Sequence, residues 1–290
     1  MALEENPEYK NPEIPEGINV TQQHPLKEFL ILLVGSVVAI SSGVLLLTSL
    51  AGYLVQYVPF AQEKELLSGL NPSWVKSEAS DSARQKQQYL QTLADQLAAN
   101  MALPEDMTIT VHYSEDETVN ALATLGGNIV VFQGLIDVLP NENALAMLMA
   151  HEIAHIRHRH PIVALGRGFA VMLALTSMAG VGDGMMQEWV GSMSMLTLLS
   201  FSRTQEAEAD ADALQGLLRQ YGHIDGANAF FVYAAGKPNM ELSPLFSTHP
   251  GVEERIARIR QFGNDHVIKT KRELTPLPVF LKMDGLQVSI

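Results

Sequence analysis

An uncharged run of 34 residues separates Glu28 from Glu63, and it constrains the fold of this chain more than any other feature. Its main part, Phe29 to Val58, is dominated by Leu, Ile, Val, Ala and Gly. A bilayer core about 30 Å thick needs about 20 such residues in a helix, so this run suits one tilted span and is too short for two. The sequence therefore predicts one N-terminal transmembrane helix at residues 29–61, in contact with membrane lipid.

A cleaved signal peptide and a buried core helix are the alternatives to an anchor. A signal peptide starts with basic residues and has an apolar core of about 7 to 15 residues, whereas this start is acidic and its apolar run is longer. Within the run, Gly35, Ala39 and Gly43 recur every four residues. Because small residues at this spacing allow close helix approach in membranes, we also weigh self-association into a homo-oligomer.

The flanks of the run bear on its orientation. Residues 1–28 form a tail rich in Pro and Glu without apolar periodicity, which predicts disorder. Lys10 and Lys27 precede the run while Lys64 and Lys76 follow it, so the positive-inside signal is nearly balanced. A short tail inside and a large exported domain is the simplest arrangement for one N-terminal anchor, and in a bacterial inner membrane it places that domain in the periplasm.

Charge and cysteine content exclude some classes of protein. The formal charge is −13, from 19 Lys and Arg against 32 Asp and Glu, so a basic face for nucleic-acid phosphates is hard to build and we expect no nucleic-acid partner. The chain has no cysteine, which excludes disulfides and thiolate metal sites. His and carboxylate groups are therefore its strong metal ligands.

The most informative motif is H-E-x-x-H at His151, Glu152 and His155. On a helix, residues at i and i+4 leave the same face, so both imidazoles can bind one zinc ion while Glu152 lies beside it as a general base. The surrounding residues predict that helix, with Asn141 as its cap and Pro161 as its end. His158 and His160 follow closely, and we interpret them as structural or surface groups.

A second predicted helix, residues 202–212, offers the third protein ligand that a catalytic zinc site needs. A Glu ligand followed one turn later by an Asp, which accepts a hydrogen bond from a ligand histidine, fits Glu206 with Asp210 and also Glu208 with Asp212. Helical phase separates the two pairs, because Asp210 shares its face with apolar Leu214 and Leu217. We therefore assign Glu206 as the ligand.

Four motifs, in this order along the chain, resemble the HtpX and CAAX prenyl protease type 1 family of gluzincin zinc peptidases. They are N-A-x-A with G-G-x-I at 120–129, H-E-x-x-H at 151–155, S-R-x-x-E-x-x-A-D at 202–210, and T-H-P with E-R-I at 248–256. The resemblance covers roughly Asn120 to Ile259. It implies a zincin-like domain with one Zn²⁺ per chain, and it places Arg203 and Asp210 around the ligands.

This resemblance implies that substrate binds to a strand region, which contains Asn120, Ala121, Gly126, Gly127 and Ile129. A Gly126-Gly127 turn that feeds an apolar strand suits an exposed sheet edge, where an extended peptide adds by backbone hydrogen bonds. From the residues alone, a core strand after a glycine turn fits equally well. The family resemblance favours substrate binding.

His249 has three interpretations. It precedes Pro250, which suits the first turn of a helix, and the resemblance puts it near the site. It is a cap or packing residue, a donor that stabilises the oxyanion as a catalytic group, or a fourth zinc ligand that keeps the enzyme closed.

The remaining segments predict an α+β, mainly helical domain with a small sheet. Ser80 to Met101 has helical apolar spacing, Met107 to Tyr113 alternates as a strand, and Asn128 to Phe132 forms a second strand before the helix of the motif. Phe280 to Met283 and Leu286 to Ile290 resemble a hairpin. We thus divide the chain into tail 1–28, anchor 29–61, catalytic domain 62–268 and C-terminal tail 269–290.

The resulting hypothesis is a membrane-anchored zinc endopeptidase. The resemblance implies quality control of membrane or envelope proteins, with unfolded or membrane-associated proteins or peptides as substrates. The Met-rich region from Ile162 to Phe201 is cut by Arg167, Asp183 and Glu188 into pieces too short for two further spans. We interpret it as flexible core or a membrane-facing lid. It also supports the alternative function, a zinc-stabilised chaperone or assembly factor with little proteolysis.

Overall fold

A computed structural model describes residues 12–13, 25–70, 80–179, 200–237, 249, 251–266 and 273–282 of this chain. The chain divides into two compact units, Met1–Leu45 and Leu46–Ile290. The Met-rich segment from Met185 to Met195 lies outside the described residues, as do most of tail 1–28 and the second strand of the predicted hairpin.

Helix α1, Pro25–Val55, covers residues 29–55 of the predicted anchor. Among the described residues it is the one helix long and apolar enough to cross a membrane, and its apolar side chains are exposed along its length. A Cβ atom added at Gly35 or Gly43 would meet no atom within 4 Å, so the stripe of small residues is open. Self-association through this stripe stays a prediction.

Helix α2, Phe60–Leu70, follows after a short turn and belongs to the second unit. Phe60 and Glu63 are buried, although the predicted anchor extends to residue 61. Glu63 Oε2 accepts the backbone N–H of Gly126 at 3.1 Å, and Glu63 Oε1 accepts Arg159 Nε at 2.6 Å. Helix α2 is thus fixed to the rest of the second unit by a buried carboxylate.

Helix α3, Asp81–Asn100, agrees with its prediction, and Ser80 caps it by accepting the N–H of Ala83. Strand β1 is Thr110–Ser114, later than the predicted start at Met107. The difference has a local cause, since the N–H of Met107 bonds to the carbonyl of Pro104 in a turn.

Strands β2, Ala121–Thr124, and β3, Asn128–Phe132, complete a three-stranded sheet in the order β1-β3-β2. β3 runs parallel to β1 and antiparallel to β2, with Ile129 opposite both Val111 and Ala123. The prediction that Asn128–Phe132 forms an exposed edge is therefore wrong, because β3 is the central strand of the sheet. β2 takes that place, and no strand of the described residues pairs with its outer side.

Helices α4, Gln133–Val138, and α5, Glu142–Arg157, follow the sheet. Asn141 caps α5 as predicted, its side chain accepting the N–H of Ala144 at 2.9 Å. Every residue from Asn143 to Ile156 is buried, because α5 packs against α3, β2 and a later helix on different sides. The helix of the H-E-x-x-H motif is thus the centre of the hydrophobic core.

Helix α6, His160–Ala179, begins where α5 was predicted to stop, so Pro161 lies in the first turn of a new helix. Proline is tolerated there because its missing N–H would have no helical partner. Among the described residues, the remaining α-helices are α7, Arg203–Tyr221, α8, Ala229–Ala235, and α9, Val252–Asp265.

The C-terminal segment 273–282 fastens the start of α5. The N–H of Glu142 bonds to the carbonyl of Thr275, and Lys282 Nζ donates to the carbonyls of Ile136, Asp137 and Leu139 at the end of α4. Val279–Leu281 is a 3-10 turn, so the first strand of the predicted hairpin is absent at these residues.

Candidate active site and metal centre

Three predicted ligands meet where α5 crosses α7. His151 and His155 are buried on one face of α5, and their Nε2 atoms lie 3.0 Å apart. Glu206, in the first turn of α7, has carboxylate oxygens 3.3 Å from each of these nitrogens. α7 starts in this register because Ser202 and Gln205 form a capping box. Glu208, the alternative ligand, is half exposed and points away.

His249 joins these three groups as a fourth donor. Its Nδ1 lies 2.9 Å from Glu206 Oε1 and 3.3 Å from His151 Nε2, and the residue is buried. The ligand atoms of all four side chains lie within 4.8 Å of one another. The predicted helical turn at Pro250 is not tested, since Pro250 lies outside the described residues and α9 begins at Val252.

The spacing of the donors fits a tetrahedral metal ion. Zinc binds His nitrogen and carboxylate oxygen at about 2.0–2.1 Å, which requires about 3.3 Å between neighbouring ligand atoms of a tetrahedron. In this cluster, the shortest distances between ligand atoms of neighbouring side chains run from 2.9 to 3.3 Å. Three imidazoles and one carboxylate, with no thiolate, form a donor set suited to zinc.

The carboxylate of Glu206 stays ionised among these donors, which favours a cation at their centre. Burial alone would raise the pKa of Glu206, but His249, His151 and His155 hold it far below its usual range. Burial, and then the neighbouring His151, keep the pKa of His155 well below its usual value. Burial and Arg255 also act to lower the pKa of His151, but hydrogen bonds to Asp210 and Glu206 outweigh them and raise it.

Asp210 lies one turn after Glu206 and is buried on the same helix. Its Oδ1 is 3.1 Å from His151 Nδ1, so it can accept the proton of that nitrogen and fix the tautomer of the ring. Burial alone would raise the pKa of Asp210, but Arg255 and then His151 hold it below its usual value. Arg258 Nη2 donates to its other oxygen at 2.7 Å.

Arg255 is a residue of this site to which the sequence assigned no role. It is 1% exposed on α9, donates to Glu206 Oε2 at 3.2 Å and to Asp210 Oδ1 at 2.7 Å, and lies over the ring of Phe231. Its place in the E-R-I motif is the sequence signal that could have identified it. Arg203, predicted to lie around the ligands, instead projects outward, 79% exposed, and pairs with Glu254.

Glu152, the predicted general base, is buried between the donors and the sheet. Its Oε2 accepts the backbone N–H of Ala123 on β2 at 2.6 Å, and its Oε1 lies 3.6 Å from His249 Nε2. One oxygen is thus held by the edge strand while the other faces the metal donors.

His158 and His160 differ in their surroundings. His158 is partly exposed and bonds to Asp212 at 2.8 Å, whereas His160 is buried and its Nδ1 lies 2.8 Å from Nδ1 of His155. Burial and the nearby His158 lower the pKa of His160 to about 4.

Comparison with known proteins agrees with this geometry. The sequence model of peptidase family M48 matches residues 84–262, more than half of the chain. This chain belongs to peptidase family M48. The motif helix, Glu206, Asp210 and Arg255 all lie within the matched region, so the site described above is that of an M48 domain.

Three relatives show how similar this chain is to known proteases. The metalloprotease LoiP of Escherichia coli K12 is 33% identical over 59% of this chain and 68% of its own length. A protease HtpX homolog of Dictyoglomus turgidum is 28% identical over 71% of this chain and 78% of its own length. The β-barrel assembly-enhancing protease of Yersinia pestis is 26% identical over 61% of this chain, which spans only 39% of that protein.

The M48 assignment defines the cofactor and the class of enzyme. The metal of the site is zinc, and His151, His155, Glu206 and His249 are the residues able to hold it. The domain is that of a zinc metalloendopeptidase.

The residues predicted to bind substrate separate into two groups. Asn120 directly precedes the edge strand β2 and Ala121 begins it, and Ala123 of the same strand bonds to Glu152. Gly126 and Gly127 form the turn before β3, where both have positive φ and a Cβ atom at Gly127 would lie 1.9 Å from the carbonyl oxygen of Thr108. Ile129 is fully buried in the central strand. Gly126, Gly127 and Ile129 are thus packed inside the fold, and their contact with substrate stays a prediction.

Proposed function

We propose that this protein is a membrane-anchored endopeptidase that cleaves unfolded or membrane-associated proteins, in quality control of membrane or envelope proteins. The observation that carries this proposal is the position of Glu152 between the edge strand β2 and the four metal donors. Relatives named as a β-barrel assembly-enhancing protease and an HtpX protease support a role at the membrane or envelope.

The outer edge of β2 is the proposed docking site for an extended peptide. Because side chains and backbone groups alternate along a strand and the N–H of Ala123 points to Glu152, the backbone of Ala121 points to the same side. Asn120 adds a second argument, because its buried Oδ1 has no hydrogen-bond partner among the described residues. A buried acceptor without a partner is costly, and a backbone N–H of the substrate would satisfy it.

The chemistry then follows from the positions of the protein groups. Zinc, when bound, polarises a peptide carbonyl and makes a water molecule acidic near pH 7. Glu152 Oε1, which faces the metal donors, would take a proton from the attacking water and pass it to the leaving amine, while Oε2 stays bonded to Ala123. Asp210 and Arg255 hold His151 and Glu206 in orientation.

His249 occupies the fourth donor position in this conformation. A catalytic zinc site keeps one position open for water or substrate, and four protein donors close it. We propose that this conformation is the closed state and that His249 leaves the donor cluster before cleavage.

The decisive experiment is Glu152→Gln in the full chain, with Glu208→Gln as a control at an exposed carboxylate. Gln keeps an oxygen for the N–H of Ala123 but cannot take up a proton, so we expect full zinc content and a loss of about 10²- to 10⁴-fold in cleavage of unfolded casein. Glu208→Gln should keep both its zinc and its cleavage of unfolded casein. Wild-type cleavage by Glu152→Gln would reject the mechanism, and unchanged biological function without cleavage would favour the chaperone alternative.

The location of the domain is a separate part of the proposal. One candidate span supports a membrane anchor, and we propose that it lies in the inner membrane with the M48 domain in the periplasm. Protease added to sealed spheroplasts should then digest the domain while a cytoplasmic marker survives. Protection of the C-terminus would place the domain in the cytoplasm.

A further inference from the structure

His155 presents its second ring nitrogen to another histidine. Its Nε2 faces His151 and Glu206, and its Nδ1 lies 2.8 Å from Nδ1 of His160. Both rings are buried, and Phe201 stacks on His155 with centroids 4.0 Å apart. The ring of His155 is thus fixed in plane by Phe201 and in rotation by His160.

Counting protons decides the direction of this contact. A histidine that binds zinc through Nε2 is neutral and carries its proton on Nδ1. Nδ1 of His155 must therefore donate, and the facing Nδ1 of His160 must accept. His160 then carries its own proton on Nε2, which faces a carboxylate oxygen of Glu208 at 3.6 Å.

We propose that His160 is a positioning residue that holds the zinc ligand His155 in its metal-binding tautomer and orientation by accepting its Nδ1 proton. The two ligands of the motif are then held differently, since His151 donates to the carboxylate of Asp210 and His155 donates to a neutral imidazole. This proposal deepens the metal site and rests on zinc binding there, although it does not depend on the substrate.

A second metal site at His158, His160 and Glu208 is the competing interpretation, because their ligand atoms also lie close together. A metal on Nε2 of His160 would leave the proton of that ring on Nδ1. Two N–H groups, from His155 and His160, would then face each other at 2.8 Å. The observed contact therefore favours a positioning role over a second ion.

Two substitutions with opposite properties test the proposal. His160→Phe keeps a ring beside Phe201 and His158 but removes the acceptor, whereas His160→Asn removes the ring but places an oxygen near the position of Nδ1. We expect His160→Phe to weaken zinc binding about 10- to 100-fold, as the loss of a partner of a ligand histidine does. His160→Asn should bind zinc more tightly than His160→Phe. Zinc affinity is measured by chelator competition on the full chain in detergent.

A packing role predicts the reverse order, with His160→Phe close to wild type and His160→Asn impaired, and that result would overturn the proposal. So would equal zinc affinity in both variants, or a second zinc equivalent that His158→Ala removes. His160→Leu, which also lacks an acceptor, replaces His160→Phe if the latter does not fold. A wild-type chain without zinc would reject the metal site itself, whereas unchanged affinity in His160→Phe rejects this proposal alone.

Discussion

The backbone N–H of Ala123 donates to Oε2 of Glu152 at 2.6 Å, so the edge strand of the sheet directly holds the residue that we propose as the general base. A strand at this position does two things at once. One side of β2 pairs with β3. On the other side, the N–H of Ala123 bonds to Glu152, and no strand of the described residues pairs there. A peptide that adds to this edge would place its backbone next to the carboxylate of Glu152.

The ligand assignment predicts different zinc contents for two neighbouring glutamates. Glu206→Ala should lose most bound zinc, because Glu206 contacts all three histidine donors. Glu208→Ala should keep its zinc, since that side chain is 52% exposed. Asp210→Asn should lower zinc affinity about 10- to 100-fold, less than Glu206→Ala. Metal analysis of the purified variants is the measurement, and equal zinc in the two alanine variants would refute the assignment.

His249→Ala separates a closing ligand from an oxyanion donor. Because His249 lies among the four donors, we expect zinc to be retained by the other three and proteolysis to be unchanged or higher. An oxyanion donor would instead lose about 10²- to 10³-fold in kcat with zinc retained. His158→Ala, at a partly exposed histidine outside the donor set, is the control for cleavage of unfolded casein.

Arg255 and Arg203 provide a matched comparison of a buried and an exposed ion pair. Arg255→Met removes a buried arginine that donates to both Glu206 and Asp210 and leaves Arg258 as the one arginine on Asp210, so we expect a loss of about 3 to 5 kcal/mol in the free energy of unfolding. Arg203→Ala breaks an exposed pair with Glu254 and should cost less than about 1 kcal/mol. Denaturant unfolding measures both, and similar losses would contradict the buried network.

Shortened chains test where the catalytic unit begins. A chain that starts at Tyr53 keeps Phe60 and Glu63 and should be soluble without detergent and bind zinc. A chain that starts at Lys64 loses both, which leaves a gap in the core and removes the partner of Gly126 and Arg159. We expect the second chain to aggregate or to lack zinc. Equal solubility and zinc content would mean that α2 is dispensable.

The sequence alone determined those features that depend on local spacing. The ligand pair of His151 and His155 follows from the helical repeat, and the cap at Asn141 follows from the chemistry of its side chain. Helical phase also separated Glu206 from Glu208, because apolar Leu214 and Leu217 mark the buried face of α7.

Only the tertiary structure decided which distant residues meet. Arg255 lies far along the chain from His151, and nothing in local spacing distinguishes it from Arg203 as the partner of Glu206. The edge strand is β2 rather than β3 because strand order depends on long-range pairing, which a single strand's alternation does not encode. His160 accepts from His155 because α6 begins directly after α5 and turns this ring inward, a direction that a short polar sequence does not specify.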